Sequence, residues 1–160
     1  YLLPIFTGAY ADKIGFRKSM IIAFSLLSIG YLGLGLLPTL LEAAGLVEYG
    51  ETTRFSGLPD SNDRWMIVPV LFVIMVGGSF IKSIISGSVA KETTEATRAR
   101  GYSIFYMMVN IGAFTGKTVV DPLRNVIGEQ AYIYINYFSA AMTVLALLAV
   151  ILLYLSLIHI

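Results

Sequence analysis

The sequence predicts an all-α membrane protein, a bundle of transmembrane helices, and both its composition and its apolar runs indicate this fold. Apolar residues make up 57% of the chain and charged residues only 13%, against roughly 25% charged in soluble domains. Residues 19–41 carry no charge, and residues 130–160 carry none if the one histidine is neutral. Because about 20 helical residues cross the hydrocarbon core, both runs are long enough to span it.

Five apolar segments follow one another along the chain. We place them at about residues 1–11, 19–41, 65–90, 100–120 and 129–154. The first is too short to cross a bilayer alone, so we expect it to be the end of a helix that begins before Tyr1. Residues 42–64 are rich in charge, glycine and proline, which predicts an exposed loop. Residues 155–160 match the in-frame translation of an adapter used in sequencing libraries, so we expect the partial bundle to occupy residues 1–154.

The lysines and arginines predict how these segments are oriented. The connections after segments one and three carry six bases, which are Lys13, Arg17, Lys18, Lys91, Arg98 and Arg100. The opposite connections and their margins carry four, which are Arg54, Arg64, Lys117 and Arg124. Because basic loops are retained in the cytoplasm, we expect the first and third connections to lie there. Tyr49, Trp65, Tyr132 and Tyr134 would then lie near the outer boundary, where amphipathic rings are favoured.

Small and polar residues predict close helix packing in segments two and five. Segment two carries Ser25, Ser28, Gly30, Gly33 and Gly35, and segment five carries Asn136, Ser139 and Thr143 at spacings that share one helix face. Small residues let helix backbones approach closely in a membrane. We therefore interpret both sets as packing surfaces rather than as solute sites.

The composition argues against several classes of function. The chain has no cysteine, a single histidine, and a net charge of +1 without a basic run. We therefore expect no metal site, no cofactor and no nucleic-acid partner. The sequence shows no glycine-rich phosphate loop and no nucleophile with a base partner, so we do not expect an enzyme.

The connection after segment one carries a motif made of Gly8, Asp12, Lys13, Gly15, Arg17 and Lys18. These residues resemble the loop between the second and third helices of the major facilitator superfamily, although Phe16 stands where a base is common. The resemblance implies helices two to six of that family's N-terminal six-helix lobe. Gly8 would let two helices approach, and Asp12 would form a gate latch with a helix N-terminus or an arginine of the facing bundle. The alternative is a basic cytoplasmic loop with one solvated acid.

Segment three places a lysine deep in the bilayer. Ser79, Lys82, Ser83 and Ser86 recur at spacings of three or four and so share one helix face. Lys82 lies about 13 Å of helix rise before Lys91. A lysine at that depth costs about 2.5–3.5 kcal/mol, so we expect it to meet a water-filled cavity, a carboxylate or an anionic solute. A structural pair with an acid on another helix is the alternative.

Segment four carries a stripe of polar and small residues, namely Ser103, Tyr106, Asn110, Ala113 and Lys117. Such a stripe faces a neighbouring helix or a water-filled cavity rather than lipid. Residues 102–114 also resemble the fifth-helix signature of the proton-dependent oligopeptide transporters, a branch of the same superfamily. The alternative is that Tyr106 and Asn110 only hold helices together.

The resemblance to the peptide transporters implies a function and a site. Their fourth helix carries a lysine near the carboxylate end of the bound peptide. The residues that fit this pattern loosely are Gly77, Gly78, Phe80, Lys82 and Ser86. Ser83 and Ile84 depart from it, because proline and asparagine commonly follow the lysine. The implied function is proton-coupled symport of di- and tripeptides or similar zwitterions by alternating access. The expected cavity residues are Lys82, Ser79, Ser83, Ser86, Tyr106 and Asn110.

The same resemblance implies the partners and the location of the protein. We expect a peptide-like solute, protons, the lipid bilayer and a C-terminal half beyond this chain as partners, in a bacterial inner membrane. Two other functions stay open at this point. One is transport of another anionic or zwitterionic solute, and the other is a membrane receptor or assembly subunit that uses its helices only for packing.

Overall fold

The protein consists of helices throughout the part of the chain that the structure describes. This computed structural model describes residues 2–46, 65–128 and 131–158, without the side chains of Ser86 and residues 154–158. The helices are α1 (Leu3–Ile14), α2 (Phe16–Ala43), α3 (Ile67–Glu92), α4 (Arg98–Ile127) and α5 (Ala131–Ile158). The prediction of an all-α membrane fold is confirmed. Tyr49, Glu129 and most of the predicted loop at 42–64 lie outside the described residues.

Four of the five helices are longer than the apolar segments from which they were predicted, and α3, with 26 residues, has the same length as its segment. Three of them, Phe16–Ala43, Ile67–Glu92 and the Ala131–Leu153 part of α5, are long and apolar enough to cross a membrane. The 30-residue α4 is not among these three, because its polar and small stripe lowers the mean hydropathy through the middle of the helix. It continues through Pro122 to Ile127. The apolar runs therefore identify the helices but not the residues at which each helix ends.

Helix α2 is the centre of the bundle and packs along both α3 and α5. A Cβ on Gly33 would lie 3.2 Å from Val70 of α3, and one on Gly35 would lie 2.9 Å from the Tyr137 ring of α5. A Cβ on Gly30 would overlap Ile74 of α3. These contacts confirm the predicted packing surface of segment two, because at each of them a larger residue would separate the backbones.

A small apolar core lies where α1, α2 and α3 meet. It contains Ala11, Ala23, Phe80 and Ile84, each of them buried. Tyr10 of α1 adds an edge-on contact to the Phe80 ring, with 6.3 Å between the ring centroids. Phe80 and Ile84 of α3 thus anchor the face of that helix opposite to the one that carries Lys82.

Helix α4 contacts the rest of the bundle at its two ends. Near its start, a Cβ on Gly101 would lie 2.6 Å from Thr93, which follows α3. Near its other end, the Arg124 guanidinium lies over the Tyr132 ring of α5, 5.8 Å from the ring centroid. None of its residues is buried. The stripe on this helix is therefore exposed along its length.

Gly15 alone connects α1 to α2, in place of the longer loop that the sequence predicted. Its φ of 89° and ψ of 149° fall in a region that favours glycine. Its N–H donates to the Ala11 carbonyl at 2.9 Å, and its carbonyl accepts from the Ser19 hydroxyl at 2.9 Å. Lys13 and Arg17 lie on the two helices rather than in a loop, because the helical hydrogen bonding continues up to the corner from both sides.

Candidate functional site

An open recess of about 500 Å³ lies on the surface between the start of α1 and the middle of α3, and we call it the Lys82 cavity. Its lining residues are Leu2, Leu3, Pro4, Met75, Gly78, Ser79 and Lys82. The volume falls within the range of about 300–1,000 Å³ that is usual for small-molecule sites. Lys82, which was identified from the sequence, therefore lies beside apolar side chains in this cavity.

The helical period of α3 directs Lys82 toward this cavity. Phe80 and Ile84 are 6% and 0% exposed on the core side, whereas the Lys82 side chain is exposed. Ser79 and Lys82 stand three residues apart and line the same cavity. Lys82 therefore lies near the middle of α3 on its exposed side, and its role in binding a solute stays a prediction.

The serines beside Lys82 have different partners. Ser79 is buried and donates its hydroxyl hydrogen to the Val76 carbonyl at 2.7 Å. Ser83 donates to the Pro4 carbonyl of α1 at 2.7 Å, and its Oγ lies 3.5 Å from Thr7 Oγ1. Ser79 therefore forms part of the cavity wall, whereas Ser83 ties α1 to α3 and so holds Pro4 in that wall.

Two other residues that were predicted to line the cavity, Tyr106 and Asn110, do not lie beside it. Tyr106 is 60% exposed and its ring lies 5.2 Å from that of Phe105 on the same helix. Asn110 is also exposed on α4, and neither residue lines the Lys82 cavity. The side chain of Ser86 lies outside the described residues. The roles of Tyr106, Asn110 and Ser86 in a solute site stay predictions.

The predicted gate residues surround the corner between α1 and α2. Asp12 and Lys13 are exposed near the end of α1, and Lys18 is exposed in the first turn of α2. Gly8 lies one helix turn earlier, where an added Cβ would be 3.4 Å from the Ser83 hydroxyl. An added Cβ on Gly8 would thus make an ordinary van der Waals contact, and the roles of Gly8 and Asp12 in a gate stay predictions.

Two further contacts were not anticipated from the sequence. Thr7 is 7% exposed and donates to the Leu3 carbonyl at 3.0 Å beside Ser83. Its position one helix turn before the buried Ala11 is the signal that could have identified it. Lys91 Nζ lies 4.2 Å from the centroid of the Phe16 ring, a favourable cation–π geometry. Phe16 stands where the family motif commonly has a base. Lys91, at the end of α3, thus supplies a positive charge beside this position.

The described residues give no sign of a metal site, because they contain no group of three or more His, Cys, Asp or Glu side chains that could hold an ion. The polar chemistry of the Lys82 cavity consists of one ammonium group and one hydroxyl group. This arrangement can bind an anion, since a lysine ammonium offers three N–H donors.

Three helices of membrane-spanning length define an integral membrane protein, and one of them, α3, lines the Lys82 cavity. The chain belongs to the major facilitator superfamily, whose family model matches residues 1–158. No curated protein and no solved structure matches the chain. Members of this family are secondary transporters that handle small solutes in a lipid bilayer, and the family is in general not enzymatic.

Proposed function

We propose that the protein is a proton-coupled symporter of di- and tripeptides or similar small zwitterions, and that it works by alternating access in a bacterial inner membrane. The Lys82 cavity is the observation that carries this proposal. A cation about 13 Å of helix rise inside the membrane is costly, and it is retained where it serves solute or proton movement. The cavity beside it gives the solute a place to bind.

The proposed role of Lys82 is to bind the carboxylate end of the solute. Charge-assisted hydrogen bonds from an ammonium to a carboxylate are short and strong. The apolar wall formed by Leu3 and Met75 lowers the local dielectric constant, which strengthens that attraction. A proton that neutralises a carboxylate elsewhere on the pathway would let Lys82 exchange partners, and this exchange would couple solute movement to the proton gradient.

The proposed gate is the corner at Gly15 with its neighbouring charges. Asp12 would bind a helix N-terminus or an arginine of the facing lobe, where a carboxylate is stabilised by the helix dipole. Rocking of the two halves would break this contact in each cycle. Tyr106 and Asn110 would reach the solute from α4 along the central pathway between the halves.

Uptake by the intact protein in proteoliposomes tests this proposal. We expect an inward proton gradient to drive uptake of a labelled dipeptide such as Ala-Ala. Lys82→Ala should lower that uptake by about tenfold or more, because a hydrogen bond to a charged group is lost. Lys91→Ala is the matched control, since it removes a lysine from the end of the same helix and should leave most of the uptake.

Two results would overturn the proposal. One is dipeptide uptake that does not respond to the proton gradient, and the other is full activity in Lys82→Ala. Orientation and amount of each variant in the liposomes are measured in parallel, so that loss of protein is not mistaken for loss of transport.

A second candidate is transport of another anionic solute by the same cavity. The departures at Ser83 and Ile84 from the peptide-transporter pattern favour it, and so does the position of Ser83, which ties α1 to α3. Gradient-driven uptake of a labelled monocarboxylate in the absence of peptide uptake would support this candidate over the first.

A further inference from the structure

We infer that Ser83 and Thr7 are positioning residues that hold the start of α1 against α3, and that they thereby set the width of the Lys82 cavity and the size of solute that fits there. The part that concerns solute size rests on the proposed function, whereas the part that concerns the two helices does not. The hydroxyl contacts between α1 and α3 support it, and so does the location of the apolar contacts between them.

The Ser83 hydroxyl connects α3 to a residue of the cavity wall. Its Oγ lies 2.7 Å from the Pro4 carbonyl of α1 and 3.2 Å from the Ser79 carbonyl of its own helix, so the contact with α1 is the closer one. Pro4 lines the cavity, and Ser83 directly follows Lys82 in α3. Loss of this contact would therefore let one wall of the cavity move away from the wall that carries the lysine.

Thr7 gives Ser83 a second contact on α1. Thr7 Oγ1 lies 3.5 Å from Ser83 Oγ and 3.0 Å from the Leu3 carbonyl, and the Thr7 side chain is buried. A buried hydroxyl group is costly without a hydrogen-bond partner. The two hydroxyl groups therefore favour the arrangement in which the start of α1 stays in contact with α3.

The apolar contacts between α1 and α3 lie farther along α1. Ala11 belongs to the core with Phe80 and Ile84, and Tyr10 makes an edge-on contact with the Phe80 ring. Pro4 lies about 10 Å of helix rise before Ala11. The core therefore fixes the later part of α1, and without the hydroxyl contacts the first turn could move with the core as its pivot. A hydroxyl bond between membrane helices adds little to the stability of a bundle, so its removal should not unfold the protein.

The position of this first turn determines the width of the cavity. Leu2, Leu3 and Pro4 form one wall at the start of α1, and the other lining residues belong to α3. Ser83 is not among the seven described residues that line the cavity, so it acts through the position of Pro4 rather than by contact with a solute. Because an apolar pocket discriminates between solutes by how well they fill it, Ser83 would determine size selectivity.

Distances between spin labels on the intact protein in lipid nanodiscs test the position of α1. Cysteines that carry the labels replace Ile5 of α1 and Phe72 of α3, both of which are exposed. We expect Ser83→Ala to broaden the distance distribution and shift it to longer distances, and Ser83→Thr, which keeps a hydroxyl, to restore it. Thr118→Ala on α4 is the matched control, because that hydroxyl bonds to the Phe114 carbonyl of its own helix, and it should leave the distribution unchanged.

Size selectivity is measured by uptake of Ala-Ala and of the bulkier Leu-Leu into proteoliposomes. Ser83→Ala should lower the ratio of the KM for Leu-Leu to the KM for Ala-Ala by about tenfold, because a wider apolar cavity favours the larger solute. The maximal rates should change little, since Ser83 does not contact the solute. Ser83→Thr and Thr118→Ala should keep the KM ratio of the unaltered protein. If Ser83→Ala is unstable in a thermal unfolding assay, Thr7→Val replaces it, with changes in the same direction expected.

The outcomes distinguish this inference from the proposed function. Unchanged distances in Ser83→Ala, or an equal change in Thr118→Ala, overturn the inference even where dipeptide uptake is driven by protons. Changed distances with an unchanged KM ratio overturn the part that concerns solute size. A shift in distance that Ser83→Thr reverses supports the positioning role even where uptake ignores the proton gradient, and in that case only the transport proposal fails.

Discussion

Helices α2 and α4 have similar lengths, 28 and 30 residues, but they relate to the bundle in opposite ways. Helix α2 has buried residues along its length, from Ser19 to Leu41. Helix α4 has none, and Phe114 near its middle is 75% exposed. Both helices carry stripes of small or polar residues, so such a stripe does not by itself cause another helix to pack against it.

The two stripes differ in which of their residues contact other helices. On α2, the Ser28 hydroxyl lies 2.8 Å from the Phe24 carbonyl of its own helix and 3.0 Å from Thr143 Oγ1 of α5. The glycines of α2 admit side chains of α3 and α5. On α4, Ser103, Thr115 and Thr118 each donate to a carbonyl four residues earlier in their own helix. The Ser28 and Thr143 hydroxyls also contact carbonyls of their own helices. The larger difference is therefore the glycines of α2, because a glycine that faces another helix brings the two backbones together.

The largest effect is expected when Gly30 of α2 is replaced by leucine. The variant to compare with it is Gly112→Leu on α4. The Gly30 variant should lose about 3 kcal/mol of stability, because its side chain would overlap Ile74 and the backbones must separate. The Gly112 variant should change stability little, since the space there is open. Reversible unfolding of the purified protein in mixed detergent micelles measures both. Equal losses would show that α2 and α4 are packed alike.

A smaller effect is expected at the contact between Gly35 and Tyr137. Gly35→Ala should cost about 2 kcal/mol, because the added Cβ would lie 2.9 Å from a rigid ring. Tyr137→Leu in the same chain should recover part of that loss, since a flexible side chain can move away. The same unfolding measurement on both single variants and the double variant gives the coupling energy. Strict additivity would mean that the two residues do not touch.

The smallest effect is expected for the hydroxyl pair of Ser28 and Thr143. Alanine at both positions should reveal a coupling of about 0.6 kcal/mol, the average for a hydrogen bond between membrane helices. The matched control is the pair Ser103→Ala and Thr115→Ala on α4, whose hydroxyls bond only to their own helix. The control pair should show no coupling. A coupling as large in α4 as between α2 and α5 would contradict the distinction drawn here.

The sparse packing of α4 has a consequence for the proposed transport cycle. Helices α1 and α3 hold the Lys82 cavity together through the Ser83 to Pro4 hydrogen bond and the core around Ile84. Helix α4 meets α3 near Gly101 and Thr93, at the end of α3 away from Lys82. We therefore expect the cavity walls on α1 and α3 to move as one unit. We expect α4 to change position more easily than the other helices, because it would lose the fewest packing contacts.

The amino-acid sequence by itself determined the all-α membrane fold and the glycine surface of α2. These features are local, because apolar length sets which helices can cross a bilayer and the 3.6-residue period sets which side chains share a face. The family also followed from local motifs, and the match over residues 1–158 confirmed it.

The tertiary structure alone decided which residues surround Lys82. It brought Leu3 and Pro4 of α1 to the cavity, turned Ser83 toward α1, and left Tyr106 and Asn110 exposed on α4. The helical period fixes the face on which a side chain lies, but not the helix that this face meets. That choice depends on contacts between residues far apart in the chain, and the closest of these contacts form where glycine leaves room for a neighbour.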